Sequence, residues 1–219
     1  SKGEWAAAEY IFGKIGGQLL KEFQVAKKIK NKNYVNTCAS RISWALNHNS
    51  SRITINTFRI GVTRIINHNG QPQTVSRGYK GVDGLTYYIG VDDIIDMLKL
   101  NWKKLDCNET NKCGYERIRD FIHNGQSKDF AHTMDTKNAN NAFFKDFSGK
   151  EAVFGTNKLL HKKRGIIAMK GINLITKAGF GHTTLWDKID FVDAILQTNE
   201  NFLTNDNYLV KEVYYWDLG

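Results

Sequence analysis

The first predicted helix begins near residue 36, where a polar cap precedes a helical repeat. Asn36 or Thr37 can cap this helix, since both side chains accept hydrogen bonds from backbone N–H groups. The apolar positions that follow recur at spacings of four, three and one: Cys38, Ile42, Ala45 and Leu46. This spacing places them on one helical face. The polar residues at 47–50 predict where the helix ends.

A second helix and several strands are predicted further along. Asp92 or Asp93 opens a helix with a repeated apolar face, and a short helix is expected at 115–123. Apolar runs typical of strands lie at 53–58, 62–66, 85–89, 164–170, 180–186 and 208–216. A helix-rich half followed by a strand-rich half predicts an α+β fold.

The 219 residues fit one compact domain, 1–219, with an insertion around 103–157. Pro72 is the one proline in the sequence, so no proline-rich linker divides the chain. We expect no membrane span, because no apolar run reaches the length a bilayer needs. The first residues also lack the basic and apolar pattern of a signal peptide.

The charge balance favours anionic partners. Lys and Arg number 31 against 22 Asp and Glu, a net charge of +9. Such a surface suits nucleic acid, an acidic protein, lipid head groups or a cell-wall polymer. The basic residues cluster at 27–32 and 162–164. A solvated face explains these clusters equally well, so charge alone selects no function.

Two cysteines lie in a polar segment that is typical of a loop. Cys107 and Cys113 favour a disulfide, which would imply an oxidising compartment. Two free thiols are the alternative. A zinc site is disfavoured, because the segment offers no second Cys pair or nearby His to complete four ligands.

Cys38 is the candidate nucleophile. It falls in the first turn of the predicted helix, where the positive end of the helix dipole stabilises a thiolate. Backbone N–H groups of the same turn can bind the oxyanion of a tetrahedral intermediate. The competing interpretation is a buried, inert cysteine.

His182 is the candidate partner of that thiol. It lies in a predicted strand, remote in sequence from Cys38, as is usual for a catalytic Cys–His pair. The other histidines occupy polar, Asn/Gly-rich or basic segments: His48, His68, His123, His132 and His161. An acid must orient the imidazole. Three follow closely, and position does not choose among them: Asp187, Asp190 and Asp193.

Three nearby side chains receive structural interpretations. Trp44 and Trp186 adjoin the Cys38 and His182 segments, and we expect both to pack in the core. Arg41 lies three residues after Cys38. It is either a buried structural cation or a contact for a substrate carboxylate.

The motifs around these residues resemble a known family. NTCASRISWALN resembles the catalytic helix of type VI secretion amidase effectors of the fourth amidase family. GHTTLWD resembles the Gly-His-x-x-Leu-Trp-Asn/Asp strand of that family, and KIGGQ its Ile-Gly-Gly element. The order of elements agrees from about residue 10 to residue 216.

The resemblance implies a fold and a set of catalytic residues. The fold is a papain-like α+β core of the NlpC type, in which the Cys-bearing helix packs on an antiparallel sheet carrying the His. Cys38 matches the nucleophile and His182 the general base. Asp193 best matches the spacing of the third residue, with Asp190 its rival, whereas Asp187 matches a structural position.

The resemblance also implies an activity. Members cut the amide between D-glutamate and meso-diaminopimelate in peptidoglycan stem peptides, without metal or cofactor. The type VI secretion machinery delivers them into the periplasm of rival Gram-negative bacteria, where a cognate immunity protein blocks them. Two departures put the cleft's shape in question: Lys188 stands where the family has Gly, and 103–157 is longer.

Two alternatives remain. A housekeeping or phage-type cell-wall hydrolase would use the same three residues. A basic nucleic-acid-binding module would bind in a salt-sensitive way and would not depend on Cys38. The nucleic-acid alternative explains the charge but neither a Cys at a helix start nor the GHTTLW strand.

Overall fold

The computed structural model describes residues 2–49, 54–58, 61–105, 115–117, 164–188, 190–192 and 207–218. The chain forms two compact units, Ser1–Asp106 and Cys107–Gly219. The single domain 1–219 stays a prediction, and most of the predicted insertion at 103–157 lies outside the described residues. Among those residues, no helix combines the length and the apolar character that crossing a bilayer requires.

The first unit is built mainly from four helices. They are α1 Lys2–Ile15, α2 Gly17–Lys28, α3 Cys38–Asn47 and α4 Val91–Leu105. Short 3-10 turns occupy Lys32–Tyr34 and Ile55–Thr57. Two antiparallel strand pairs lie between α3 and α4: β1 Thr63–His68 with β2 Gln71–Ser76, and β3 Tyr79–Lys80 with β4 Thr86–Tyr87.

Two adjacent glycines separate α1 from α2. Gly16 and Gly17 have φ angles of 64° and 62°, in the left-handed region that side chains with a Cβ rarely adopt. A Cβ on Gly17 would also lie 2.6 Å from the Lys80 carbonyl oxygen. The break lets the two helices fold back on each other, with the Phe12 and Phe23 ring centroids 5.1 Å apart in a buried cluster.

The second unit contains a five-stranded antiparallel sheet. Its strands are β5 Tyr115–Arg117, β6 Arg164–Asn173, β7 Gly179–Asp187, β8 Asp190–Phe191 and β9 Tyr208–Asp217. Their order across the sheet is β5-β9-β6-β7-β8. The central strand β6 is covered on both faces, since consecutive residues Ile166 to Met169 are all buried. This explains why RGIIAMK is an uninterrupted apolar run.

The α+β prediction is confirmed, but three local predictions are wrong. Residues 55–57 form a turn rather than a strand, because the Ile55 N–H bonds to the Asn47 side chain. Tyr115–Arg117 is a strand paired with β9, not the start of a helix. The β1–β2 hairpin contains the strand predicted at 62–66 as β1, but its second strand, β2, occupies a segment expected to be loop. Its turn is Asn69-Gly70 with both φ angles positive, a hairpin signal that sequence reasoning overlooked.

Candidate active site

Cys38 is the first residue of α3, as the sequence predicted. Its side chain is buried, with 4% of the residue exposed. Thr37 precedes it in a non-helical conformation and makes no side-chain cap bond. The first turn of α3 contains no acidic residue. The partial positive charge of the helix N-terminus is therefore not offset by a carboxylate in that turn.

Asn36 holds the backbone at this position. The Cys38 N–H donates a hydrogen bond of 3.2 Å to the Asn36 side-chain oxygen. This N–H is the group that would bind an oxyanion formed on a substrate attacked by Cys38. The Asn36 oxygen therefore occupies the place of an incoming oxyanion and has to give way when one forms. The sequence indicated Asn36 as a cap but not this role.

The C-terminal half of α3 is fixed by two buried polar side chains. Ser43 Oγ accepts from the Tyr88 N–H at 3.0 Å and donates to the Tyr88 carbonyl at 3.2 Å. Asn47 donates from Nδ2 to the Thr86 carbonyl at 2.8 Å and accepts from the Ile55 N–H at 2.9 Å. Sequence reasoning missed both residues. The available signal was a pair of polar side chains four residues apart, on a helix that must bury one face.

Arg41 is not a buried cation. The residue is exposed, and its Nε donates to Thr37 Oγ1 at 3.2 Å. The Arg41 N–H also bonds to the Thr37 carbonyl at 2.9 Å. One of the two roles expected for Arg41 is therefore wrong. Contact with a substrate carboxylate stays a prediction, and the exposed guanidinium is compatible with it.

Trp44 and Trp186 pack internally, as expected. Trp44 is partly buried against the helical core cluster and stacks on His48, with ring centroids 3.9 Å apart. Trp186 is 2% exposed and packs edge-on against Phe191 at 5.6 Å. Packing in these contacts accounts for the large aromatic residue beside each motif.

His182 lies on β7, within the antiparallel sheet that was predicted to carry it. The residue is 6% exposed and pairs in register with Met169 of β6. Next to it, Thr183 Oγ1 donates to the Ile167 carbonyl at 3.0 Å. The two strand contacts fix the backbone at His182, so the position of its imidazole is set by a rigid sheet rather than by a loop.

The structure describes two of the three candidate acids, Asp187 and Asp190. Asp187 forms an ion pair with Arg164 at 2.9 Å, and both side chains are about half exposed. This contact agrees with a structural role. The backbone of Asp190 pairs with that of Asp187, five residues along β7 from His182, which is about 16 Å at the usual strand rise. Asp193 lies outside the described residues.

The predicted site residues belong to different units of the chain. Cys38 lies in the first unit and His182 in the second. The approach of the Cys38 thiol to the His182 imidazole therefore stays a prediction. Cys107 and Cys113 lie outside the described residues, and their disulfide stays a prediction. Among the described residues, no group of three or more His, Cys, Asp or Glu side chains could hold a metal ion.

Together, the fold and these residues define an α+β protein with a cysteine at a helix start and a histidine on an antiparallel sheet. Two solved structures are similar to it. One is the type VI effector Tae4 from Enterobacter cloacae, with 16% identity, a TM-score of 0.48, and coverage of 100% of this chain and 95% of that chain. The other is the Tae4/Tai4 effector–immunity system from Salmonella typhimurium, with 18% identity, a TM-score of 0.42, and coverage of 100% and 97%.

Both similar structures are of type VI effectors, the class that the motifs around Cys38 and His182 resemble. No protein-family model matches the chain, and no curated protein matches it.

Proposed function

We propose that this chain is a cysteine amidase of peptidoglycan, delivered by type VI secretion as an antibacterial toxin. The observation that carries the proposal is the position of Cys38: a buried thiol at the start of a helix whose first turn has no acidic residue. The resemblance of the Cys38 and His182 motifs to type VI amidase effectors supports the same chemistry. The proposed bond is the γ-D-glutamyl–meso-diaminopimelate amide of the stem peptide.

The reaction proceeds by acylation of the cysteine. His182 accepts the proton of the Cys38 thiol, and the thiolate attacks the γ-D-glutamyl carbonyl carbon. The Cys38 N–H, released from Asn36, donates to the oxyanion. His182 then gives its proton to the leaving amine as the C–N bond breaks. Water attacks the thioester with His182 again as base, which releases the acid product and regenerates the thiol.

Asp193 is the proposed orienting acid for His182. The spacing in the resembling family favours it, and the β7–β8 register argues against its rival. The backbone of Asp190 pairs with that of Asp187, about 16 Å along the strand from His182. Asp187 is engaged by Arg164.

The proposed setting is the periplasm of a rival Gram-negative cell. The partners there are the stem peptide and a cognate immunity protein, and the secretion machinery delivers the chain. The net charge of +9 suits both an anionic wall and an acidic inhibitor. Expression of the chain directed to the periplasm should lyse cells, whereas the same chain kept in the cytoplasm should not, because its substrate lies outside the inner membrane.

Digestion of defined muropeptides by the purified full chain tests the chemistry. Mass analysis should show products cut between D-glutamate and diaminopimelate. Cys38→Ala and His182→Ala should each lower turnover by roughly 10³-fold or more. His68→Ala is a matched control, because His68 is exposed on β1 and has no proposed role. Full activity of Cys38→Ala would refute the proposal, and cleavage at another bond would refute the assigned substrate.

A housekeeping or phage-type wall hydrolase would give the same digestion result. The two alternatives separate on the immunity protein. A toxin should be neutralised by a small protein encoded next to it, and that protein should bind the purified chain and stop muropeptide cleavage.

A further inference from the structure

A shallow apolar groove lies on the first unit, away from Cys38 along the chain. It has a volume of about 380 Å³ and runs between the C-terminal half of α2 and the turn at Lys32–Tyr34. Its apolar lining includes Val25, Ala26, Ile29 and Tyr34. Val25 and Ile29 are 59% and 69% exposed. These two aliphatic side chains therefore face solvent, although α2 buries Leu19 and Phe23 elsewhere on its surface.

Lys21 lines this groove, and three more exposed lysines lie close to its lining residues along the chain: Lys28, Lys30 and Lys32. Within the described part of the chain, Lys21, Lys28, Lys30 and Lys32 have no acidic partner. Lys27, which projects from another side of α2, pairs with Glu9 at 2.9 Å.

One carboxylate, that of Glu22, lines the groove itself and is engaged internally. Glu22 accepts from the Tyr34 hydroxyl at 2.9 Å and from the Gln18 amide at 2.7 Å. The sequence contains no further acidic residue until Asp83. The lysines around the groove are therefore available to an external anion.

The order of these residues along α2 and its C-cap residue, Ile29, produces an amphipathic stripe. Lys21, Val25 and Ile29 follow one another at intervals of four residues, and Lys28 borders them. Residues at this spacing lie on one face of a helix. Two protruding aliphatic side chains framed by lysines match the pattern of helices that rest in a lipid interface, with the apolar side chains inserted and the ammonium groups at the phosphates.

We propose that this surface, formed by Lys21, Val25, Lys28 and Ile29 with the neighbouring Lys30 and Lys32, docks the protein on an anionic phospholipid bilayer. A bilayer fits better than an acidic peptide because the aliphatic side chains project outward from a shallow groove. A peptide would pair with the lysines but would leave Val25 and Ile29 largely in water. The docking requires no step of the amidase reaction, so it can be tested with or without an active Cys38.

Co-sedimentation of the full chain with vesicles tests the proposal. The probes are vesicles of phosphatidylglycerol mixed with phosphatidylcholine, and vesicles of phosphatidylcholine alone. We expect partitioning onto the anionic vesicles, which decreases with added salt, and no partitioning onto the neutral ones. Lys21→Gln with Lys28→Gln should lower partitioning by about fivefold per lysine. The control pair Lys177→Gln with Lys188→Gln removes two exposed lysines elsewhere and should change partitioning far less.

A second pair of variants tests insertion of the apolar side chains. Val25→Ser with Ile29→Ser should weaken vesicle binding, whereas Ile65→Ser with Ile175→Ser should not. The control side chains are 74% and 69% exposed, so both pairs remove comparable apolar surface.

Three results would overturn the proposal. The first is equal loss from the groove and control variants, which would indicate net charge alone. The second is vesicle binding that does not depend on Val25 and Ile29, together with equally strong binding of soluble polyglutamate. That result would assign the surface to an acidic polypeptide. The third is absence of partitioning onto anionic vesicles at low salt.

Discussion

Ser43→Ala should destabilise the first unit more than its small change in volume suggests. The Ser43 hydroxyl bonds to both the N–H and the carbonyl of Tyr88, a residue 45 positions away. Ser43 is 0% exposed and Tyr88 is 2% exposed, so water cannot easily replace the lost partner. An alanine would leave two buried backbone groups without that partner. At about 1–3 kcal/mol for each of the two groups, we expect a loss of about 2–6 kcal/mol.

Ser40→Ala is the matched control for this substitution. Ser40 lies on the same helix and is also 0% exposed, but its hydroxyl has no hydrogen-bond partner within the described part of the chain. Removing an unpaired buried hydroxyl costs nothing in hydrogen bonding and relieves its desolvation. We therefore expect Ser40→Ala to be neutral or stabilising by up to about 1 kcal/mol.

Urea unfolding followed by tryptophan fluorescence measures both effects. The wild type and the two variants should share the same slope of free energy against urea concentration, with a lower midpoint for Ser43→Ala alone. Similar urea midpoints for Ser43→Ala and Ser40→Ala would refute this reasoning. The hydrogen bonds of Ser43 to Tyr88 would then contribute no more to stability than the unbonded hydroxyl of Ser40. A loss of less than about 0.5 kcal/mol for Ser43→Ala would refute it as well.

Three further predictions concern charge and chemistry. Asp193→Asn should lower amidase turnover and leave KM nearly unchanged, whereas Asp190→Asn should have a smaller effect; the reverse order would identify the wrong acid. Mass measurement without reductant should give a chain two hydrogens lighter than its reduced form, from Cys107 and Cys113, and two alkylatable thiols at those positions would reject the disulfide. Burial raises the pKa of Asp93 above its usual 3.8, although the Arg77 guanidinium opposes the shift. Because the pKa of Asp93 is higher in the folded state than in the unfolded state, this carboxyl group stabilises the fold most below pH 3.8, and its contribution is lost as pH rises through the folded pKa. In Asp93→Asn, the unfolding midpoint measured against pH should no longer show this decrease.

The sequence correctly predicted the helices and strands whose local hydrophobic pattern matches their environment in the folded chain. The Cys38 helix begins where the cap and the apolar repeat placed it, and the His182 strand lies in an antiparallel sheet. Both segments combine a regular hydrophobic period with residue types that favour the observed structure. The α+β class followed from the order of such segments.

The secondary-structure predictions failed where a side chain or strand outside the segment decides its conformation. The run at 53–58 has the composition of a strand, but the Asn47 side chain captures the Ile55 N–H and a turn results. Tyr115–Arg117 was expected to be helical, but β9 offers a free edge with which it pairs. Asn47 lies eight residues before Ile55, and β9 comes much later in the chain, at Tyr208–Asp217. Hydrophobic periodicity describes neither contact, so it could not anticipate these outcomes.

The same reasoning explains why the candidate site could be predicted only in part. A thiol at a helix start has a local signature, because capping and dipole effects act within one turn. The bonds that hold that helix in place have none, since Ser43 and Asn47 reach partners 45 and 39 residues away. One end of α3 therefore carries the proposed nucleophile, Cys38, and the other carries the anchors of the helix. Substitutions at the anchors should then change reactivity by moving the helix, whereas substitutions at Asn36 act on the backbone N–H of Cys38 itself.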